Sequence, residues 1–174
     1  PQVRGVTLTA VPTHLLRDAA FGPYCTNEMR YAKSLLASIP DHSLTVFDKG
    51  FLSAEILCGL TGTGSNRHFV IPAKANSKWT LVEGTPGDGM VAMRVSPQAR
   101  KKCPGLPELW HARAVTLIDQ SARKHVLLTS LFDRRRYPAS DIAACYARRW
   151  RIETSYRELK HTMLGMALTL RSKT

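Results

Sequence analysis

Residues 44–60 constrain the fold of this chain more than any other stretch. Leu44-Thr45-Val46-Phe47 is a short apolar, β-branched run suited to a buried strand. It stops at Asp48-Lys49-Gly50-Phe51, a turn composition, and Ser53 then stands where it can cap a helix reaching about Leu60. Gly62-Thr63-Gly64 closes that helix. Strand, carboxylate, turn and helix in this order make an α/β unit with the carboxylate at the strand's carboxyl end. In open α/β sheets, that end is where ligands bind. An Asp ahead of Lys-Gly is also an ordinary turn residue that bonds its own backbone. Asp48 therefore has two readings on local sequence alone.

The flanks fit the same class. Residues 3–11 (VRGVTLTAV) read as a strand. After a Gly22-Pro23 break, Thr26 can cap a helix to about Ile39, with Glu28 in its first turn. Met29, Ala32, Leu35, Leu36 and Ile39 share one face of it, and Pro40 stops it. From residue 66 to 131 the texture changes. Strand-like runs recur at 69–72, 90–95, 112–118 and 126–131, separated by Gly, Pro and Lys-rich turns and with no convincing helical period. This middle reads as a mainly β insertion. The expected organisation is an α/β first part (1–65), the β-rich insertion (66–131) and a terminal helical part (132–174).

The terminal part holds the strongest helical pattern. Pro138 precedes Ser140 as N-cap, Asp141 occupies the first turn, and the periodicity runs to about Leu164 before Gly165. On a wheel of ~100° per residue, Cys145, Ile152, Leu159 and Met163 fall within about 40° and form a core stripe. Tyr146, Arg149, Glu153, Arg157 and Lys160 form a second stripe within roughly 80°, directly flanking the first. A carboxylate is thus held among cations at the edge of the buried face. The plainer reading is a solvated face with i,i+4 pairs such as Arg149–Glu153.

Charge supplies the partner. The chain has 25 Lys+Arg against 13 Asp+Glu, a net +12. An excess of that size favours polyanions, because neutralising phosphates releases condensed counterions. Cys25, Cys58, Cys103 and Cys145 lie more than 30 residues apart, with no zinc-ligand spacing, so neither a zinc site nor a disulfide is expected. No apolar run is long enough to span a membrane and no signal peptide core is present, so a secreted or membrane protein is not expected. The expected location is cytoplasmic and nucleoid-associated, and no small-molecule substrate is expected. Two carboxylates from separate elements suit Mg²⁺, which keeps waters and substrate phosphates in its other positions. Two such ions can activate a hydroxyl on one side of a phosphodiester and stabilise the leaving oxygen on the other.

Tyr146-x2-Arg149-x3-Glu153-x6-Lys160 resembles the Y-R-E-K signature of the insertion sequence 4 family of transposases, in all four positions and all three gaps. Asp48–Phe51 (DKGF) is similar to that family's second-carboxylate motif, and SPQARKKCPGL (96–106) and the opening PQVR are similar to stretches of its members. The resemblance covers nearly the whole chain. It implies an RNase H-like α/β fold, a mixed sheet with flanking helices interrupted by a β-rich insertion. It further implies that Asp48 and Glu153 are the second and third carboxylates of a D-D-E triad. Both would ligate Mg²⁺ (or Mn²⁺), two ions being held only once the first Asp is supplied. Tyr146, Arg149, Arg157, Lys160 and Lys49 would grip DNA.

In such enzymes a nick at the transposon end frees a 3′-hydroxyl, which attacks the opposite strand and later the target DNA, the protein working as a homodimer. The family's first Asp belongs on an early strand. Residues 3–11 contain no carboxylate, and Asp18, Glu28 and Asp41 are the only acids before Asp48, none expected at the centre or end of a strand. The expectation is a catalytic-core fragment, inactive alone, that starts after the first Asp. Two alternatives stand beside it: a non-catalytic basic nucleic-acid-binding module or decayed remnant, and an intact nuclease recruiting Asp18 or Asp41. Trp79 and Trp110 could stack on an unpaired base or pack in the protein.

Overall fold

The computed structural model describes residues 2–118 and 122–149. It opens with a hairpin of β1 (Val3–Thr9) and β2 (Leu16–Pro23), paired antiparallel. β2 is absent from the sequence reading, because LRDAAFGP has little β-branched character and half its residues face solvent; pairing with β1 makes it a strand. It also carries Asp18, opposite Leu8, so one early acid does lie within a strand.

α1 (Glu28–Ser34) starts one residue later than expected. Asn27 caps it, its side chain accepting the Met29 N–H at 3.0 Å, while the Thr26 N–H donates to Pro23 in the preceding turn. The helix also does not run unbroken to Ile39. It tightens into a 3₁₀ turn over Leu35–Ser38, as helix ends often do.

β3 (Ser43–Val46) follows, then a 3₁₀ turn over Lys49–Phe51 and α2 (Ala54–Gly62). Ser53 caps α2 as anticipated, accepting the Ile56 N–H. β4 (Arg67–Pro72) returns parallel to β3, so β3–α2–β4 is a βαβ unit. Next come β5 (Thr80–Thr85), β6 (Asp88–Arg94), α3 (Pro97–Lys102), β7 (Leu109–Ile118), β8 (Lys124–Thr129) and α4 (Ala139–Ala147).

Two of these escape the sequence reading. β5 is exposed at every residue and exists through its pairing with β6. α3 is a single capped turn and a half, too short to show a period, with Ser96 accepting the Ala99 N–H. α4 begins at Ala139 with Pro138 in the cap position, and Ser140 does not cap it; its hydroxyl donates to Asp141 instead. The expected continuation of this helix toward Leu164 lies outside the described residues, as do Ile152, Leu159 and Met163.

Six strands form one sheet in the order β3-β4-β8-β7-β6-β5, parallel only between β3 and β4. β3 from the first stretch lies beside β4 from the β-rich stretch, so residues 66–131 add strands to that same sheet. This is the mixed α/β architecture, with flanking helices, that an RNase H-like fold requires. Helices cover both faces. Phe69 and Ile71 of β4 pack with Ile56, Leu57 and Leu60 of α2, while Val70 packs on the other face with Leu127, Leu131 and Ile142 of α4. That is why β4 reads as an unbroken apolar run. Each such side chain contributes about 1.5–3 kcal/mol of burial. Trp110 belongs to this core too, its ring 6.3 Å from that of Phe69, whereas Trp79 is more exposed.

A buried ion pair ties the sheet to α4. Arg113 of β7 is 1 % exposed and forks onto Asp88, Nε to Oδ1 at 2.6 Å and Nη2 to Oδ2 at 2.8 Å. Its Nη1 donates to the carbonyls of Leu131 and Tyr137, near the two ends of the connection into α4.

Candidate functional site

Asp48 sits two residues past β3, at the carboxyl end of a parallel strand. Local chemistry puts it there. Its backbone is extended (φ −76°, ψ 153°), and its Oδ1 accepts the Lys49 N–H at 2.9 Å, starting the 3₁₀ turn. So the turn-residue reading is correct as far as it goes. Capping occupies little of the group: the Asp48 side chain remains 63 % exposed. Lys49 beside it is exposed as well. Lys74 Nζ donates to the Leu52 carbonyl at 3.2 Å, anchoring the far end of this turn to the segment after β4.

The other half of the site comes from the end of the described chain. Arg149, just past α4, has Nη1 3.8 Å from Asp48 Oδ1. Its guanidinium also lies 5.5 Å from the ring centre of Tyr146, in cation–π range. Tyr146 itself packs against the cluster of Val70, Leu127, Leu131 and Ile142. A core contact thus fixes the tyrosine, the tyrosine supports the arginine, and the arginine faces the carboxylate. The sequence reading placed Asp48 and Arg149 in one site, and the fold brings these two together. Glu153, Arg157 and Lys160 lie outside the described residues, as does the Asp48–Glu153 separation. Cys145, assigned to the core stripe, is half-buried, and burial pushes its thiol up; the buried residue of α4 is Ile142.

Asp48 and Arg149 line a cavity of about 480 Å³ between β1 and β3, floored by α1 and the 3₁₀ turn after it. Arg17, which sequence reasoning did not single out, lines it too.

The remaining early acids are engaged elsewhere. Asp18 accepts the Ser38 hydroxyl and the Ala19 N–H, which holds its carboxyl below the ordinary range. Asp41 is lowered by the Ser65 N–H and by Arg67, whose Nε lies 2.7 Å away. Among the described residues, no three His, Cys, Asp or Glu side chains gather closely enough to hold a metal ion. Asp48 nevertheless fits a divalent cation of the Mg²⁺ type, which binds through one or two carboxylates with the rest of its shell supplied by water and phosphate. Its side chain is exposed, and the Lys49 N–H and the Arg149 guanidinium both meet it at Oδ1.

The chain is thus a mixed α/β sheet with flanking helices, of RNase H-like architecture, in which an exposed carboxylate at the end of a parallel strand faces an arginine just past α4. Residues 2–174 match the family model described as a transposase DDE domain, and the chain belongs to that family. It is 39 % identical over 174 residues to the transposase InsG for insertion sequence element IS4 of Escherichia coli K12, covering 99 % of this chain and 39 % of that protein. It is 33 % identical over 146 residues to a putative transposase InsZ of the same strain, covering 83 % of this chain and 45 % of that protein. The chain therefore spans less than half the length of these curated relatives.

Proposed function

We propose that this chain is the greater part of the catalytic core of a DNA transposase, which cleaves DNA at the ends of an insertion sequence and joins the freed 3′ ends to target DNA. The observation that carries the reading is the approach of Arg149 to Asp48, which brings one residue of the Y-R-E-K signature to the DKGF turn. The family match and the +12 charge support it.

Asp48 and Glu153 hold the divalent metal, Mg²⁺ or Mn²⁺, through hard carboxylate oxygens. When bound, the metal lowers the pKa of an attacking hydroxyl and stabilises the leaving oxygen. Arg149 presents a fork suited to two phosphate oxygens, with Tyr146 beneath it limiting its freedom. Lys160, Arg157 and Lys49 add point and forked charges along the strand being cut. A third carboxylate comes from outside these 174 residues, so the chain alone binds DNA without cleaving it. Its partners are transposon ends and target DNA, engaged by a homodimer in the cytoplasm at the nucleoid.

The test is Glu153→Gln and Asp48→Asn in a complete transposase containing this sequence, assayed on a supercoiled plasmid carrying the element's ends. Both variants abolish cleavage and leave end binding within about threefold. Cleavage retained by either variant refutes the assignment. Loss of end binding as well would favour a basic binding module in which these carboxylates are structural.

A further inference from the structure

The stretch SPQARKKCPGL (96–106) folds around α3, which ends in three consecutive cations, Arg100, Lys101 and Lys102. Ala99 packs on the core, so at ~100° per residue Lys101 points away from it while Arg100 and Lys102 fan to either side. Both lysines are exposed, and no ion pair engages any of the three among the described residues. Arg100 is half-buried, and its Nε lies inside the protein with no hydrogen-bond partner among the described residues. A buried donor without an acceptor is costly, and native structures keep few of them. Cations in a last helical turn also complement the helix's own carbonyls. That accounts neither for the buried Nε nor for how firmly so short a helix is fixed. Ser96 caps its start, the Cys103 N–H closes its end on the Ala99 carbonyl, Leu106 packs on the core, and the Cys103 thiol donates to Glu55. Lys33 of α1 pairs with the same carboxylate. Thiol and ammonium together hold the Glu55 carboxyl below its ordinary range. Glu108, further along, pairs with Arg94. The acids beside α3 are thus already engaged, and its three cations keep their charge for something outside.

We propose that α3 is a DNA-gripping element, its three cations seating the phosphates of a duplex that also passes the site at Asp48. Glu55 ties the two places together: it stands in the first turn of α2, the helix that follows the Asp48 turn, and Cys103 reaches it from the end of α3. A phosphate drawn onto Arg100 supplies the acceptor its guanidinium lacks, while the lysines act as point charges. Because α3 is fixed before DNA arrives, little ordering entropy opposes binding. The surroundings favour a duplex backbone over other polyanions. The exposed residues from 96 to 105 include no aromatic ring on which an unpaired base could stack and no large apolar side chain to enter a membrane. Contacts of this kind add affinity and set register without reading sequence. DNA as the partner rests on the transposase reading; the cation cluster and its fixed geometry do not.

DNA binding measured across salt concentrations tests it in a complete transposase containing this sequence. Arg100→Gln, Lys101→Gln and Lys102→Gln combined keep good helix formers in α3 and lower the slope of log K against log salt by about three units. The affinity gap between parent and triple variant then closes by roughly 40-fold between 50 and 200 mM salt. Lys101→Gln alone, at a fully solvated position, lowers the slope by about one unit, and Lys101→Arg, which keeps the charge, restores it. Arg135→Gln changes nothing; it lies on the connection into α4, which packs on the other face of the sheet. Two duplexes identify the DNA, one stopping at the element's terminal base pair and one continuing into flanking sequence. A loss on both puts α3 on the element's end, and a loss on the longer alone puts it on the flank. Two results overturn the inference while the parent still binds DNA. One is a triple variant whose slope stays within about half a unit of the parent's. The other is an equal fall for Arg135→Gln and Lys101→Gln, which means that charge anywhere on the surface counts. A parent that binds no DNA sinks the transposase reading along with it.

Discussion

Replacing Asp88 by Ala leaves Arg113 in place with two of its guanidinium nitrogens unpaired. Arg113 is 1 % exposed as a residue, and Asp88 keeps 27 % of its side chain in contact with solvent. Breaking a fully buried pair by removing one partner costs ~3–5 kcal/mol, because an uncompensated charge stays inside. Partial exposure at Asp88 admits water, and Arg113 keeps the Leu131 and Tyr137 carbonyls, so about 3 kcal/mol is the working figure. For a chain of this size that lowers Tm by roughly 6–12 °C. Thermal unfolding followed by circular dichroism measures it. The double variant Asp88→Leu with Arg113→Met removes both charges and recovers most of the loss, since an apolar pair of similar volume needs no compensation. A Tm loss under about 2 °C for Asp88→Ala, or a double variant no more stable than the single, would refute the reasoning that Arg113's desolvation sets the cost. Because Arg113 also holds both ends of the connection into α4, the single variant weakens DNA binding at temperatures well below its Tm.

The other expectations are more local. Arg149→Ala and Lys160→Ala each reduce the slope of log K against log salt for DNA binding by about one unit; fluorescence anisotropy at several salt concentrations reads this, and an unchanged slope makes either residue an ordinary surface charge. Ser53→Ala removes the α2 cap and costs ~1 kcal/mol in a urea titration, with the m-value unchanged. Asp133 accepts the backbone N–H groups of Arg136 and Arg135, which lowers its carboxyl below the ordinary 3.8. A depressed carboxyl stabilises the fold above its unfolded pKa and loses that contribution as pH falls through the folded value. Asp133→Asn therefore flattens the loss of stability on acidification below about pH 4, and an identical acid limb in both proteins would show that the capping bonds contribute nothing.

Much of the fold was legible because it is written locally. The β3 run, the Ser53 cap and the uninterrupted apolar core of β4 depend on neighbours in sequence, and each appears where its residues predict. The misses have separate causes. β2 and β5 lack a strand's composition and exist because another strand lies beside them, and α3 is too short to show a period. Asn27 in place of Thr26 is a one-residue contest between two good caps, settled by the Thr26 N–H joining the preceding turn.

For the site, sequence alone supplied the carboxylate after a strand and the surplus of positive charge, while Glu153 lies outside the described residues. A signal for the Arg113 lock was also present, since one arginine interrupts the otherwise apolar Ala112–Val115 run of β7. Its partner was not readable, because Asp88 lies 25 residues away and meets it only through β6–β7 pairing. Tertiary structure alone decided that Arg149 faces Asp48 across 101 residues of chain, and that β1 and β3 line one cavity with them. The reason is physical. Caps and periodicity are set by interactions within a few residues, whereas strand order and the approach of α4 follow from burying both faces of one sheet, which only the whole chain can do.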